Sequence, residues 1–213
     1  MKLTTGKEND TILILCRGSS MTLADKYYYD LTNEMIIVNE FNEELNTEWV
    51  HRLFEKKDIM HMVSRDSGLS NLTPENYSKY NMNDAILNIF NDEYSGGTPM
   101  KKLLESRGMR TSCLPDELKP YQKEGGGFPT TGIISIVYCA AYLNKTNIHI
   151  AGMDFYEKDY YTGQQPNKHQ QAKGEAMKIF INSFMEKFPK TNFTFYTNSS
   201  FTSDLDNVTI VNE

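Results

Sequence analysis

The chain has 213 residues, a length that suits one large domain or two small ones. Hydrophobic residues make up 39% of the sequence and aromatic residues 12%, which excludes an intrinsically disordered chain. The 22 basic and 28 acidic residues give a net charge of −6, which argues against a nucleic-acid or anionic-membrane binder with a broad basic face. We expect one domain over residues 1–213, with residues 1–10 flexible.

The cysteines and the N-terminal segment indicate the compartment. Cys16, Cys113 and Cys139 are too few and too scattered for a disulfide framework or a zinc site. The first ten residues lack the apolar stretch of a signal peptide, and no apolar run reaches the ~20 residues of a membrane span. We therefore expect a cytoplasmic protein without an integral membrane segment.

Short apolar runs in the first third of the chain predict strands that are buried on both faces, as in a parallel sheet. A helix is expected over 46–56, where apolar side chains recur at helical spacing. The three strand-like runs are 11–16 (TILILC), 35–39 (MIIVN) and 58–64 (DIMHMVS).

The middle of the chain mixes turns with short periodic segments. Residues 71–81 are polar and turn-rich, and the apolar spacing that follows predicts a short helix over 84–94. A helix is expected over 100–107 and a strand over 108–114. The charged stretch 117–127 ends in three consecutive glycines, so we expect it to form a mobile loop.

The last third carries the clearest pattern. Thr131 is placed to cap a helix over 132–143, and a second, amphipathic helix is expected over 169–188, where Pro189 stops it. Strands are predicted over 147–151, 192–196 and 207–211.

Strands that alternate with helices predict an α/β fold, a Rossmann-like, mostly parallel sheet flanked by helices. Such sheets bind ligands beyond the carboxyl ends of their strands, near the point where strand order reverses. Small hydroxyl, amide and glycine residues at these positions suit a phosphate-bearing ligand, and a nucleotide is the simplest one. The candidate binding residues are Arg17, Gly18, Ser19, Ser20, Asn39, Ser64, Thr130, Thr131, Gly132, Gly152 and Asp154.

Each candidate also has a structural interpretation. Residues 17–20 lack the Gly-Lys-Ser/Thr of a Walker loop and the full G-x-G-x-x-G pattern, and a Gly-Ser turn after a strand is common. Asp154 suits a metal ligand or a turn cap, but no second carboxylate lies two residues away. His169, at the start of a predicted helix, suits either a general base or a surface histidine.

Four segments together resemble one family. They are 12–21 (ILILCRGSSM), 35–41 (MIIVNEF), 129–156 (PTTGIISIVYCAAYLNKTNIHIAGMDFY) and 168–181 (KHQQAKGEAMKIFI). In order and approximate spacing they resemble the bacterial sialyltransferases of glycosyltransferase family 42. The first two resemble the N-terminal strand with its Gly-x-Ser loop and the second strand with its nucleotide-contacting asparagine. The third resembles the Thr-Ser-Gly helix start and the strand closing in Ser-Gly-Ile-Asp-Phe-Tyr, and the fourth the helix that begins with the catalytic histidine.

The resemblance implies a variant of the GT-A fold and an inverting transfer of a sugar from a CMP-activated donor to a glycan hydroxyl. It implies no metal ion and no other cofactor. Asn39 would contact the nucleotide or its phosphate, and Thr131 with Gly132 would meet the ribose or phosphate. Gly152 would let the backbone approach the cytosine or ribose.

The same resemblance implies the catalytic residues. The hydroxyl groups of Tyr156, and of Tyr160 or Tyr161, would donate hydrogen bonds to the departing phosphate. His169 would be the general base that takes the proton of the acceptor hydroxyl. The implied partners are a nucleotide-sugar donor and a glycan acceptor, with the homo-oligomeric state left open.

The chain also departs from the family pattern. Arg17 and Ser19 replace an asparagine and a proline, and Phe128 stands where the family has an arginine. The family's third nucleotide-site asparagine has no clear match, although Ser64 falls nearby. The segment between Tyr156 and His169 is shorter than the family's substrate lid. A non-catalytic or differently specific nucleotide- or sugar-binding protein on the same fold is therefore the alternative expectation.

Overall fold

A computed structural model gives the fold of most of the chain. Predictions that concern residues 1–9, Ser64 and the turn-rich stretch 71–81 lie outside the residues that it describes. The described residues are 10–23, 32–39, 41, 44, 47–55, 57–63, 82–90, 99–106 and 108–213.

Eight parallel strands form one sheet in the order β5-β4-β3-β2-β1-β6-β7-β8. This arrangement confirms the predicted Rossmann-like α/β fold. The strands are β1 (Thr11–Leu15), β2 (Glu34–Val38), β3 (Asp58–Val63), β4 (Met82–Phe90), β5 (Thr111–Leu114), β6 (Asn147–Ala151), β7 (Asn192–Tyr196) and β8 (Val208–Val211).

Helices connect most of these strands. The predicted amphipathic helix over 169–188 is divided into two helices, Lys168–Gln171 and Gly174–Met185. Gly174, at the start of the second, packs so closely on the carbonyl group of Phe155 that a Cβ atom would lie 2.3 Å from its oxygen. The helices are α1 (Glu48–Glu55), α2 (Pro99–Ser106), α3 (Thr131–Val137, continued by a π-helical turn over Tyr138–Tyr142), α4 (Lys168–Gln171) and α5 (Gly174–Met185), with 3₁₀ turns over Ser19–Thr22 and Asp116–Tyr121.

The predicted helix over 84–94 is wrong, because residues 84–90 belong to β4; residues 91–94 lie outside the described residues. Ile86 and Phe90 belong to the core on one face of the sheet, and Leu87 and Ile89 belong to the core on the other face. A strand covered on both faces has apolar residues on both sides, so the strict alternation of apolar and polar residues disappears. The spacing of the apolar residues in this segment is then the same as in a short helix.

Two hydrophobic cores cover the two faces of the sheet. One contains Ile12 and Ile14 of β1 with the apolar sides of α3 and α5, and the other contains Leu13 and Leu15 with those of α1 and α2. The chain adds strands outward from β1 to β5, returns to place β6 beside β1, and then continues to β8. The point at which strand order reverses therefore lies between β1 and β6.

The amino ends of the strands are fixed by a buried ion pair. Lys145, just before β6, donates a hydrogen bond to the carboxylate of Glu34 at the start of β2, and both side chains are buried.

The predicted mobile loop ends in Gly125, Gly126 and Gly127, which all adopt positive φ angles with open space at the Cα atoms. The mobility of this loop stays a prediction.

Candidate functional site

A cleft of about 570 Å³ opens at the carboxyl ends of the strands, where strand order reverses between β1 and β6. Ligands of α/β proteins bind at this place, and the volume lies within the usual range for small-molecule sites. The predicted site residues that line the cleft are Arg17, Gly18, Asn39, Thr130, Thr131, Gly132, Gly152, Asp154, Tyr156 and Tyr160.

The loops after β1 and β6 form the floor of the cleft and contact each other closely. The backbone N–H of Gly18 donates to the carbonyl oxygen of Gly152 at 2.8 Å. A Cβ atom on Gly18 would lie 2.5 Å from a carboxylate oxygen of Asp154, and one on Gly152 would lie 2.5 Å from the carbonyl oxygen of Cys16. Both glycines are therefore required by the contact between the loops, and the approach of a ligand to Gly152 stays a prediction.

Asp154 is buried and its carboxylate holds the loop after β1. It accepts hydrogen bonds from the backbone N–H of Ser20 at 3.0 Å, from the Ser20 hydroxyl, and from Thr197 Oγ1 at 2.8 Å. The Ser19 hydroxyl lies 3.5 Å from the same carboxylate. The structure does not bring Ser19 or Ser20 to the cleft, because both side chains face this internal network.

Asn39 follows β2 in a left-handed conformation, with φ of 62°, which asparagine tolerates better than most residues. Its backbone N–H donates to the carbonyl oxygen of Met62 at 2.8 Å, and its own carbonyl oxygen accepts a hydrogen bond from His61 Nε2. Complete burial lowers the pKa of His61 to about 4, against the raising effect of this hydrogen bond, so the imidazole is neutral. His61 was missed from sequence, although a polar residue inside the run DIMHMV is a signal.

The first turn of α3 faces the cleft. Sequence predicted Thr131 as the cap, but Thr130 is the N-cap residue and its Oγ1 accepts from the backbone N–H of Ile133 at 3.4 Å. Two adjacent threonines give the same sequence signal, so the cap position was wrong by one residue. Thr131 and Gly132 begin the helix at the cleft wall.

Phe155 and Tyr156 both have positive φ angles, of 50° and 61°. Bulky residues rarely adopt this conformation, which costs on the order of 1–3 kcal/mol and persists only when surrounding contacts fix it. Phe155 is buried, with its ring centroid 4.7 Å from that of Phe201. The turn places the half-buried side chain of Tyr156 in the cleft. Burial is the main cause that raises the pKa of its phenol.

Tyr160 lies beside Tyr156, with ring centroids 6.5 Å apart and nearly perpendicular planes. Gln170 donates to its hydroxyl oxygen at 3.0 Å, and the Arg17 guanidinium lies 5.6 Å from its ring centroid. Burial raises the pKa of Tyr160, while Arg17 and Gln170 oppose this effect. Both phenols are therefore protonated at neutral pH and able to donate hydrogen bonds.

Arg17 is fixed by a buried carboxylate. Its Nε donates to Glu44 Oε1 at 2.6 Å, and Glu44 is fully buried. The second oxygen of Glu44 is buried without a hydrogen-bond partner in the described part of the chain. Arg17 itself keeps partial exposure and lines the cleft.

The cleft is lined by more positive than negative side chains. Lys158 and Lys173 line it, and neither forms an ion pair with a residue that the structure describes. Asp154 is the only carboxylate among the lining residues within the described ranges, and its oxygens already accept hydrogen bonds. In a chain with a net charge of −6, this local balance favours an anionic ligand. The two lysines follow no recognisable motif and were missed from sequence.

Two predicted catalytic residues do not line the cleft. The Tyr161 hydroxyl lies 3.4 Å from Thr47 Oγ1, and its ring packs edge-on against Trp49 with centroids 6.1 Å apart. His169 is exposed on α4, next to Gln170. Its role as a general base stays a prediction.

Comparisons of the chain with protein-family models, with curated proteins and with solved structures gave no match. The resemblance to family 42 therefore depends on the sequence segments quoted above. Among the described residues, no three His, Cys, Asp or Glu side chains are grouped so that they could share a metal ion. None of the helices in the same residues has the length and apolar character needed to cross a membrane.

Proposed function

We propose that the cleft binds the cytidine monophosphate part of an activated sugar, and that the chain is a sialyltransferase-like glycosyltransferase. The observation that carries the proposal is the set of cations, Arg17, Lys158 and Lys173, around a cleft at the switch point of a parallel sheet. A phosphate at this place would meet positive side chains on one side and the first backbone N–H groups of α3 on the other.

The proposed reaction is an inverting displacement that needs no metal ion. The acceptor hydroxyl oxygen forms a bond to the anomeric carbon while the bond from that carbon to the phosphate oxygen breaks. The electron pair leaves with CMP, and the hydroxyl proton passes to a base. Neutral phenols of Tyr156 and Tyr160 are suited to donate hydrogen bonds to the leaving phosphate, where the charge develops.

The base in this proposal is His169, as the family resemblance implies. Its imidazole is exposed and outside the cleft lining, so proton transfer requires the acceptor to extend over α4. This observation favours a second candidate function, that of a protein that binds a nucleotide or sugar without transferring it. Both candidates use the same cleft and differ only in whether a bond is broken.

Two measurements test the proposal. Titration calorimetry with CMP, CDP, UDP and GDP determines the ligand class, and we expect CMP to bind. Release of CMP from CMP-sialic acid, followed with and without glycan acceptors and with and without EDTA, then tests transfer. Absence of CMP binding would overturn the first candidate, and absence of binding to all four nucleotides would also count against the second. CMP binding without release would support the second, and acceptor-dependent release that EDTA leaves unchanged would support the first.

A further inference from the structure

The two ends of the cleft differ in their chemistry. Near β1 and β6 it is lined by the cations Arg17, Lys158 and Lys173. Near the carboxyl ends of β4 and β5 the lining changes to apolar and uncharged polar side chains. The lining residues at this second end are Asn88, Phe90, Leu114, Gln122, Phe128 and Pro129.

Phe128 is the aromatic wall of this second end, and its ring is held in place. Its centroid lies 6.5 Å from that of Phe90 at an interplanar angle of 34°, and 6.2 Å from that of Phe180 at 82°. The side chain is half-buried and lines the cleft, so part of the ring is available for contact. A fixed aromatic ring is a suitable platform for stacking a flat heterocycle.

Asn88 is a polar residue on an otherwise apolar side of β4. The neighbours on the same face, Ile86 and Phe90, both belong to the hydrophobic core. Asn88 lies where the pairing of β4 with β5 shifts its register, between Leu87 and Phe90. Such irregularities re-aim side chains and often accompany binding sites.

The amide groups of Asn88 and Gln122 are half-buried at the cleft and make no side-chain hydrogen bond with any described residue. Because these amides are accessible from the cleft and are not engaged by other side chains of the described residues, they are available to bind the polar edge of a ligand. Each amide offers both a donor and an acceptor, which matches the alternating donors and acceptors of a nucleobase edge.

We propose that this end of the cleft is the base subsite, in which the nucleobase stacks on Phe128 and its edge is bound by Asn88 and Gln122. The inference rests on the proposed function and adds an orientation to it. The phosphate would lie towards Arg17, Lys158 and Lys173, and the base would lie over the carboxyl ends of β4 and β5. It also differs from the expectation that the base approaches Gly152.

The test compares binding of CMP with binding of ribose 5-phosphate, which lacks the base. In the wild type we expect CMP to bind at least about tenfold more tightly, since stacking and edge contacts act only on the base. Phe128→Leu and Asn88→Leu should each reduce CMP affinity about tenfold and leave ribose 5-phosphate affinity unchanged. Phe188→Leu, an aromatic change outside the cleft, is the matched control and should alter neither affinity.

Three further outcomes are decisive. Equal affinities of the wild type for CMP and ribose 5-phosphate would overturn the base subsite and leave the phosphate end intact. Retention of full CMP preference in Phe128→Leu and Asn88→Leu would also overturn it, and Gln122→Ala replaces either variant that fails to fold. A wild type that binds neither ligand would overturn the proposed function, and the subsite with it.

Discussion

The buried imidazole of His61 donates a hydrogen bond to the backbone carbonyl oxygen of Asn39, which joins the core of β3 to the cleft residue that follows β2. This hydrogen bond by itself would favour the protonated ring, but complete burial outweighs it and lowers the pKa of His61 to about 4, so the imidazole is neutral. Asn39 stands in a left-handed conformation, so this hydrogen bond helps to fix the residue where its side chain lines the cleft. A core residue of β3 therefore helps to position a residue that lines the cleft.

We predict that the free energy of unfolding falls as pH decreases from 6.5 towards 4. Above pH 6.5 His61 is neutral in both states, but between these values the unfolded chain binds a proton that the folded chain does not, because the folded pKa is near 4 instead of 6.5. The loss from this residue reaches up to about 3 kcal/mol at the acid end. Urea unfolding at several pH values measures it. His61→Gln should flatten the decrease, whereas His169→Gln, a change at an exposed histidine, should retain it.

Gly152→Ala should destabilise the fold by about 2 kcal/mol or more, because the new Cβ meets the Cys16 carbonyl oxygen at 2.5 Å in addition to the cost of a positive φ. Gly163→Ala is the matched control, since Gly163 has a φ of +81° with open space around it. Its cost should stay near the ~1 kcal/mol of the backbone conformation alone. Thermal and urea unfolding give both values, and equal losses would contradict the close-contact interpretation.

Arg17→Met should destabilise the protein by about 3 kcal/mol, because the fully buried carboxylate of Glu44 would lose its partner. The double variant Arg17→Met with Glu44→Gln should recover much of this loss, since a neutral amide needs no counter-charge. A double-mutant cycle by urea unfolding measures the coupling. Additive effects of the two changes would show that the pair is not coupled.

Tyr156→Phe should lower the rate of CMP release from CMP-sialic acid about a hundredfold, because one fixed donor to the leaving phosphate is lost. CMP affinity should change less than about threefold if the hydroxyl acts mainly in the transition state. Steady-state kinetics and calorimetry separate the two effects. The reverse pattern, weak binding with normal turnover, would assign the hydroxyl to ground-state binding.

His169→Ala should abolish transfer to an acceptor and leave CMP binding unchanged, if His169 is the general base. His51→Ala, at a half-buried histidine of α1, serves as the control and should keep full activity. Transfer assays with both variants decide the question. Unchanged transfer in His169→Ala would remove the base assignment and direct the search to groups that line the cleft.

The sequence predicted most of the sheet because buried parallel strands are continuous apolar runs, as in residues 11–16 and 35–39. It failed at β4 for the same physical reason, since apolar side chains on both faces of a strand also fit the spacing of a short helix. The division between α4 and α5 was not predictable either. The apolar spacing continues across the break, and the contact of Gly174 with the Phe155 carbonyl next to it is supplied only by the tertiary structure.

For the candidate site, the sequence predicted the loops after β1, β2 and β6 and the start of α3, because strand ends in α/β proteins are the usual binding positions. It could not assign partners within those loops. Ser20 and Asp154 were both predicted to bind a ligand, whereas the structure pairs them with each other. Asn88, Lys158 and Lys173 enter the cleft from segments whose sequence resembles ordinary surface or strand sequence.

Because all eight strands run in the same direction, the sheet has one edge formed by amino ends and one formed by carboxyl ends. The carboxyl ends of β1, β2, β4, β5 and β6 reach the cleft, while the buried salt bridge between Glu34 and Lys145 lies at the opposite edge, at the starts of β2 and β6. Substitutions and insertions in the loops at the carboxyl edge can therefore alter the ligand selectivity of the cleft. The Glu34–Lys145 contact lies at the other edge of the sheet, away from such changes.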